Sequence, residues 1–74
     1  MIEKEIRIEI DGVLYILETT GGESSYIVER LFNAETRELY SYRASTTDRV
    51  SLGENPSVWE KIDLLKKEKE HVQV

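Results

Sequence analysis

The chain has 74 residues and therefore forms one domain at most. It contains no cysteine, which excludes disulfides and zinc sites built from thiolates. Its net charge of −5 opposes the phosphate backbone of nucleic acids, and its apolar content of 39% is too high for a disordered chain. The opening segment, MIEKEIRIEI, lacks the apolar core of a signal peptide, and no apolar run could span a bilayer, so we expect a cytoplasmic protein.

Two predicted strands, over about 2–10 and 13–20, form a first hairpin. The dipeptide Asp11-Gly12 between them is typical of a type I′ turn, in which both residues need a positive φ. The turn predicts three cross-strand pairs on one apolar face: Ile10 with Val13, Ile8 with Tyr15, and Ile6 with Leu17. The second strand is apolar on both faces, so we expect it to be central. The first strand carries charges on its other face, which is typical of a sheet edge.

A polar loop at 20–25 precedes a second predicted hairpin, with strands over about 26–32 and 38–44. Its turn covers 33–36, and Arg37 follows where such loops usually carry glycine in the left-handed conformation. That conformation is uncommon for other residues, so either the strain at Arg37 is modest or the loop is of a different type. We predict the register in which apolar side chains lie opposite each other and an arginine lies beside a tyrosine ring. That register pairs Phe32 with Glu38, Leu31 with Leu39, Arg30 with Tyr40, and Val28 with Tyr42.

A loop over 45–55, in which residues 50–52 can add a short edge strand, leads to a predicted helix over about 56–70. Asn55 suits the N-cap and Pro56 the first helical position, while Ser57 and Glu60 offer an alternative capping box. The helical spacing predicts an apolar stripe of Val58, Trp59, Ile62 and Leu65. We expect Trp59 to pack the helix onto the sheet, and residues 71–74 to form a frayed tail.

These elements predict a single α+β domain over 1–74. Its small antiparallel sheet has about four strands, arranged as a meander of two hairpins with an optional fifth strand. One C-terminal amphipathic helix packs on one face of the sheet. The sequence leaves open which face the helix covers.

No set of residues commits the chain to catalysis. The only histidine, His71, lies near the chain end in a run of lysine and glutamate, where we expect it at the surface. Asp48 and Glu54 lack the alternate ligand spacing of a calcium loop, and Gly21-Gly22 is not followed by the lysine of a phosphate-binding loop. We therefore expect no catalytic residue, no metal and no cofactor, and we interpret the protein as non-enzymatic.

One predicted sheet face combines aromatic and basic residues. With the register above it contains Tyr26, Val28, Arg30, Phe32, Tyr40 and Tyr42. Two interpretations stay open: the rings pack under the helix, covered by arginine stems, or they form an exposed binding face. A helix covers only one face, so five apolar residues are expected on the uncovered one: Leu14, Ile16, Ile27, Leu31 and Leu39.

Three hypotheses about function follow. The first is a protein-interaction module that self-associates as a homodimer, with a binding face formed by Leu14, Ile16, Tyr26, Arg30, Tyr40 and Tyr42. The alternative is a module that binds single-stranded nucleic acid through the same tyrosines and arginines, against which the acidic charge counts. The third is that Glu3, Glu5, Glu9 and Glu18 imitate phosphates toward a basic partner, although Lys4 and Arg7 interrupt them. We expect no membrane partner.

Overall fold

A computed structural model of the chain describes residues 4–21 and 26–72, of which 69–72 are described by their backbone alone. The described elements are β1 (Lys4–Ile10), β2 (Val13–Thr20), β3 (Ile27–Asn33), β4 (Leu39–Ser45), β5 (Val50–Leu52) and α1 (Val58–Val72). The strands form one antiparallel sheet in the order β1-β2-β3-β4-β5. The predicted α+β fold, an antiparallel meander with a short fifth strand and one C-terminal helix, is confirmed.

The first hairpin has the predicted register, with Ile10 opposite Val13, Ile8 opposite Tyr15 and Ile6 opposite Leu17. Asp11 and Gly12 have φ values of 51° and 82°, as a type I′ turn requires. β2 lies inside the sheet and β1 at its edge, as predicted. The alternation in β1 and the Asp11-Gly12 turn are therefore sufficient to set the register of this hairpin.

The predicted register of the second hairpin is wrong. The observed pairs are Phe32 with Leu39, Leu31 with Ser41, Arg30 with Tyr42, and Val28 with Ala44. The turn explains the first of them: Asn33 donates its N–H to the Glu38 carbonyl at 2.9 Å, so pairing begins one residue later than predicted. A bulge then inserts Tyr40 between Leu39 and Ser41, which shifts the remaining pairs by one more residue.

The turn between β3 and β4 is held by the side chain of Asn33. Its Oδ1 accepts the N–H groups of Glu35 at 2.8 Å and Thr36 at 3.0 Å, and Arg37 donates its N–H to the Asn33 carbonyl at 2.8 Å. Arg37 has a φ of 68°, so of the two alternatives left open by the sequence the left-handed conformation is the one observed. The loop thus accepts a conformation that glycine adopts more easily.

α1 begins two residues after the predicted start and ends at Val72. Asn55 is not the N-cap, because its φ is 54° and its side-chain amide donates to the Tyr40 carbonyl at 3.0 Å. A turn through Pro56 follows, and Ser57 takes the position before the helix. Residues 71–72 of the expected frayed tail are helical, and 73–74 lie outside the described residues. Within the described ranges, no helix combines the length and apolarity needed to cross a bilayer.

The core lies between α1 and one face of the sheet. It contains the buried residues Ile10, Tyr15, Leu17, Leu31, Val58, Trp59 and Ile62, against which Ile6, Ile8, Tyr40 and Leu65 pack. Trp59 is 2% exposed and donates its indole N–H to the Ser41 hydroxyl at 2.9 Å. The predicted stripe of the helix and the role of Trp59 are thereby confirmed.

Two residues expected on the uncovered face lie on the helix side instead. Leu31 is fully buried in the core. Ile27 shares its face, because residues two apart along a strand point the same way. Of the five apolar residues expected there, Leu14, Ile16 and Leu39 lie on the uncovered face.

We expect Ile62→Ala to lower the free energy of unfolding by about 3 kcal/mol, because Ile62 is fully buried at the centre of the helix–sheet contact. Leu64→Ala removes an apolar side chain of the same helix that is 61% exposed, and should change the free energy by less than about 0.5 kcal/mol. Urea unfolding followed by tryptophan fluorescence measures both. Equal losses would contradict the observed orientation of the helix.

We expect Arg37→Gly to raise the free energy of unfolding by about 0.5–1 kcal/mol, since it relieves a left-handed conformation at some cost in unfolded-state entropy. Arg37→Ala is the matched control, because alanine lacks the long side chain but keeps the strained φ. Urea midpoints of the two variants provide the comparison. A glycine variant no more stable than the alanine variant would show that the turn is unstrained.

Candidate functional site

The face of the sheet opposite α1 is not covered by any described element, and we call it the open face. Cross-strand register places its side chains in rows, two of which cross its centre. One row contains Glu5, Glu18, Arg30 and Tyr42, and the next contains Arg7, Ile16, Phe32 and Leu39. An apolar centre is thus bordered by charges of both signs.

The apolar residues of the open face are exposed to different degrees. Ile16 is only 9% exposed and Phe32 is half-buried, whereas Leu14, Leu39 and Tyr42 are 44%, 52% and 42% exposed. The Tyr42 ring lies over Gly53, where a Cβ atom would collide with it. Several large apolar groups therefore remain in water beside a partly protected centre.

A shallow depression of about 200 Å³ lies in the open face. Ile16 and Phe32 contribute its apolar lining, and Glu5, Glu18 and Arg37 contribute charged groups. Arg37 reaches this site from the turn before β4. The depression is too shallow and open to enclose a small substrate, but it can accept a side chain from a second surface.

The open face carries charges of both signs. Glu5, Glu9 and Glu18 lie on β1 and β2 together with Arg7, and Arg30 lies on β3. Although Glu18 and Arg30 are opposite each other in the register, neither forms an ion pair within 4 Å with any part of the chain that the structure describes. These charged groups therefore remain available to another molecule.

The structure brings together four of the six residues predicted for a binding face. Leu14, Ile16, Arg30 and Tyr42 share the open face. Tyr26 precedes β3 and is 54% exposed.

Tyr40 was predicted on the same face as Tyr42, and this is wrong. Its ring packs on the helix side against Tyr15, with the ring centroids 5.1 Å apart. The bulge is the reason, because the inserted residue reverses the alternation of side chains along β4. The aromatic cluster beside Arg30 is therefore reduced to Phe32 and Tyr42.

A network of charged groups between the helix and the sheet, centred on buried Glu29, was not predicted. Arg43 donates from Nε to Glu29 Oε1 at 2.8 Å and from its two terminal nitrogens to the Asp63 carboxylate at 2.9 and 3.0 Å. Lys66 donates to the second oxygen of Glu29 at 2.8 Å. The Arg43 guanidinium also lies 4.7 Å from the centre of the Trp59 ring. The network connects β3, β4 and α1 at one place.

Glu29 is the one carboxylate in this network that is buried, with 7% of its side chain exposed. Burial alone would raise its pKa, but the hydrogen bonds from Arg43 and Lys66 outweigh burial and lower the pKa below 4.5. Burial likewise opposes the charge of Arg43, yet its bonds to Asp63 and Glu29 raise its pKa. The spacing of the strand puts Glu29 on the same face as Ile27 and Leu31, but the sequence did not decide which face the helix covers.

The network has a structural role, because each charged group in it is bonded to an opposite charge. No group of three or more histidine, cysteine, aspartate or glutamate side chains in the described part of the chain could hold a metal ion. On the other side of the helix, Lys61 donates to the Asp11 carboxylate, which raises the pKa of Lys61 and connects α1 to the first turn. Both ends of that pair are exposed, so its contribution to stability is small.

We expect Glu29→Gln to lower the free energy of unfolding by about 2 kcal/mol at pH 7, because charge-assisted bonds to Arg43 and Lys66 are lost. The folded-state pKa of Glu29 lies below its ordinary value of 4.5, so its stabilisation is complete above pH 4.5 and disappears as the pH falls through the folded-state pKa. Urea unfolding from pH 7 to 2.5 should therefore show the two proteins converging in acid. A constant difference across this range would contradict the ionised state of Glu29.

Comparison with known proteins gives no match: no protein-family model, no curated protein and no solved structure is detectably similar to this chain. The open face, together with the arrangement of α1 over the other face, is therefore the feature of the molecule from which a function can be inferred.

Proposed function

We propose that the protein is a small, non-enzymatic interaction module that self-associates by pairing its open face with that of a second copy. The observation that supports this most strongly is the exposure of Leu14, Leu39 and Tyr42 around the centre formed by Ile16 and Phe32. Contiguous apolar groups at a surface usually mark an interface. We further propose a cytoplasmic location, which the absence of cysteine supports.

The open face is complementary to itself. A two-fold axis parallel to the strands, between β2 and β3, would place β2 of one copy over β3 of the other. Because Glu18 and Arg30 lie in one row, each would then face its opposite charge on the other copy. Ile16 and Phe32 lie in the next row and would meet at the axis. Two sheets packed this way lie about 10 Å apart, and their side chains interdigitate.

The same axis places β1 of one copy over β4 of the other. Tyr42 would then face Glu5, and its hydroxyl could donate to that carboxylate. Glu5 also lines the depression beside Ile16. The charged edge of one copy would thus lie against the exposed aromatic ring of the other. This complementarity favours a second copy of the chain as the partner over a protein with a purely apolar surface.

Binding of single-stranded nucleic acid is the less supported alternative. The open face carries the carboxylates of Glu5, Glu9 and Glu18, which repel phosphates. Tyr40, one of the rings expected to stack with bases, packs in the core. Phe32 and Tyr42, with Arg7 and Arg30, form a small platform compared with the aromatic and basic grooves that such proteins use.

We expect sedimentation equilibrium to give a mass above the monomer value of 8.6 kDa at about 100 µM protein, a concentration typical for weak dimers. Leu39→Glu should make the protein monomeric, because it places a charge in the apolar part of the interface. The matched control is Leu64→Glu, since Leu64 has a similar exposure but lies on the helix. A wild-type protein that stays monomeric, or equal effects of the two variants, would contradict self-association through the open face.

A charge exchange tests the arrangement of the two copies. Glu18→Arg and Arg30→Glu should each weaken the dimer by about tenfold, and combining them should restore most of the affinity. Fluorescence anisotropy with a labelled single-stranded oligonucleotide at low salt is run in parallel. Oligonucleotide binding that Tyr42→Ala weakens would favour the nucleic-acid alternative instead.

A further inference from the structure

An open groove of about 440 Å³ lies between β5 and α1, on the helix side of the sheet. Its apolar lining comes from Val50 and Leu52 of β5 and from Pro56 and Trp59. Val50 and Leu52 are 61% and 43% exposed, although both point toward the helix side with their register partners Ser45 and Arg43. The groove is distinct from the open face, so it can act independently of the proposed dimer.

The backbone of β5 is available for pairing along its outer side. Gly53 donates its N–H to the Tyr42 carbonyl at 2.9 Å, and Thr46 donates to the Arg49 carbonyl at 2.8 Å. In an antiparallel pair, alternate residues direct their N–H and C=O groups toward the same neighbour, so Ser51 faces β4 and its two neighbours face away. β5 is the last strand of the described sheet. Val50 and Leu52 therefore present two donors and two acceptors at a free edge.

We propose that this edge and groove bind an extended peptide segment of another protein by strand addition. The peptide backbone pairs with Val50 and Leu52, and an apolar peptide side chain enters the groove against Trp59. A free edge strand with a helix beside it is the arrangement that several peptide-binding domains use for this purpose. Main-chain bonds provide affinity, and the groove selects the side chain at alternate positions of the peptide.

The charges of the groove define the partner more closely. Two carboxylates, those of Glu60 and Asp63, and one cation, Arg43, line the groove. The nitrogens of Arg43 already bond to Glu29 and Asp63. Glu60 is exposed and has no ion-pair partner within 4 Å among the residues that the structure describes. The lining thus has an excess of negative charge, which favours a lysine or arginine beside the apolar peptide residue. A free C-terminal carboxylate would be repelled, so the occupant is not the C-terminal end of a protein.

The test uses a phage-displayed library of peptides about eight residues long, in which threonine alternates with randomised positions, as strand addition requires. It is panned against the wild-type protein and against two variants. Leu52→Pro removes an N–H that points away from β4, so the hydrogen bonds between β5 and β4 are kept. Proline is tolerated on the free side of an edge strand. Leu52→Val is the control, since it keeps the N–H and also shortens the side chain. Amide NMR spectra establish that each variant is folded.

We expect enriched peptides that pair an apolar residue with lysine or arginine, and amide shifts on binding that are confined to β5 and the adjacent part of α1. A synthetic copy of the best peptide should bind Leu52→Pro about tenfold more weakly than Leu52→Val, as loss of a hydrogen bond and a steric clash predict. N-methylation of the peptide amides that face β5 should abolish binding to the wild-type protein, whereas N-methylation of the alternate amides should not. This comparison keeps the test valid if Leu52→Pro does not fold.

Three results would overturn the proposal. One is the absence of any enriched sequence with the wild-type protein. Another is equal binding of the two N-methylated peptides, which would show that the backbone is not paired. The third is enrichment of glutamate or aspartate beside the apolar residue, which would contradict the charge of the groove. Peptide binding by a protein that stays monomeric would show that this site works independently of the proposed self-association.

Discussion

The packing of one helix against one face of a five-stranded sheet is the constraint on which the rest of the structure depends. The apolar stripe of α1 is narrow. Its central residues, Trp59 and Ile62, are buried against the sheet face that contains Leu17 and Leu31. Since a sheet has two faces and the described chain has one helix, the second face stays in water with its own apolar centre around Ile16. The open face and the proposed dimer both follow from this imbalance between one covering element and two surfaces.

The bulge in β4 decides the chemical character of that open face. It turns Tyr40 toward Tyr15 and leaves Phe32 and Tyr42 as the aromatic groups near Arg30. The same insertion lets Ser41 lie opposite Leu31, where its hydroxyl accepts the indole N–H of Trp59. One extra residue therefore completes the core and at the same time removes a ring from the surface, which leaves a mixed apolar and charged face more suited to a protein than to bases.

A partly buried network of charges connects the helix to the sheet. Arg43 is bonded to Glu29 within the sheet and to Asp63 on α1, and its guanidinium lies against the Trp59 ring. Such a network costs desolvation free energy, and it is tolerated because each charge has a bonded partner. Arg43, Trp59 and Asp63 also line the groove between β5 and α1, so the network borders the proposed peptide site.

The sequence by itself determined the elements whose signals are local. Alternation and the Asp-Gly turn set the register of the first hairpin, and the helical spacing identified the stripe around Trp59. Only the tertiary structure decided the register of the second hairpin, the burial of Glu29 and the side of the sheet on which Tyr40 and Leu31 lie. These depend on side-chain bonds in a turn and on contacts between residues far apart in the chain. A periodic pattern cannot report a single inserted residue, because the insertion reverses every face that follows it.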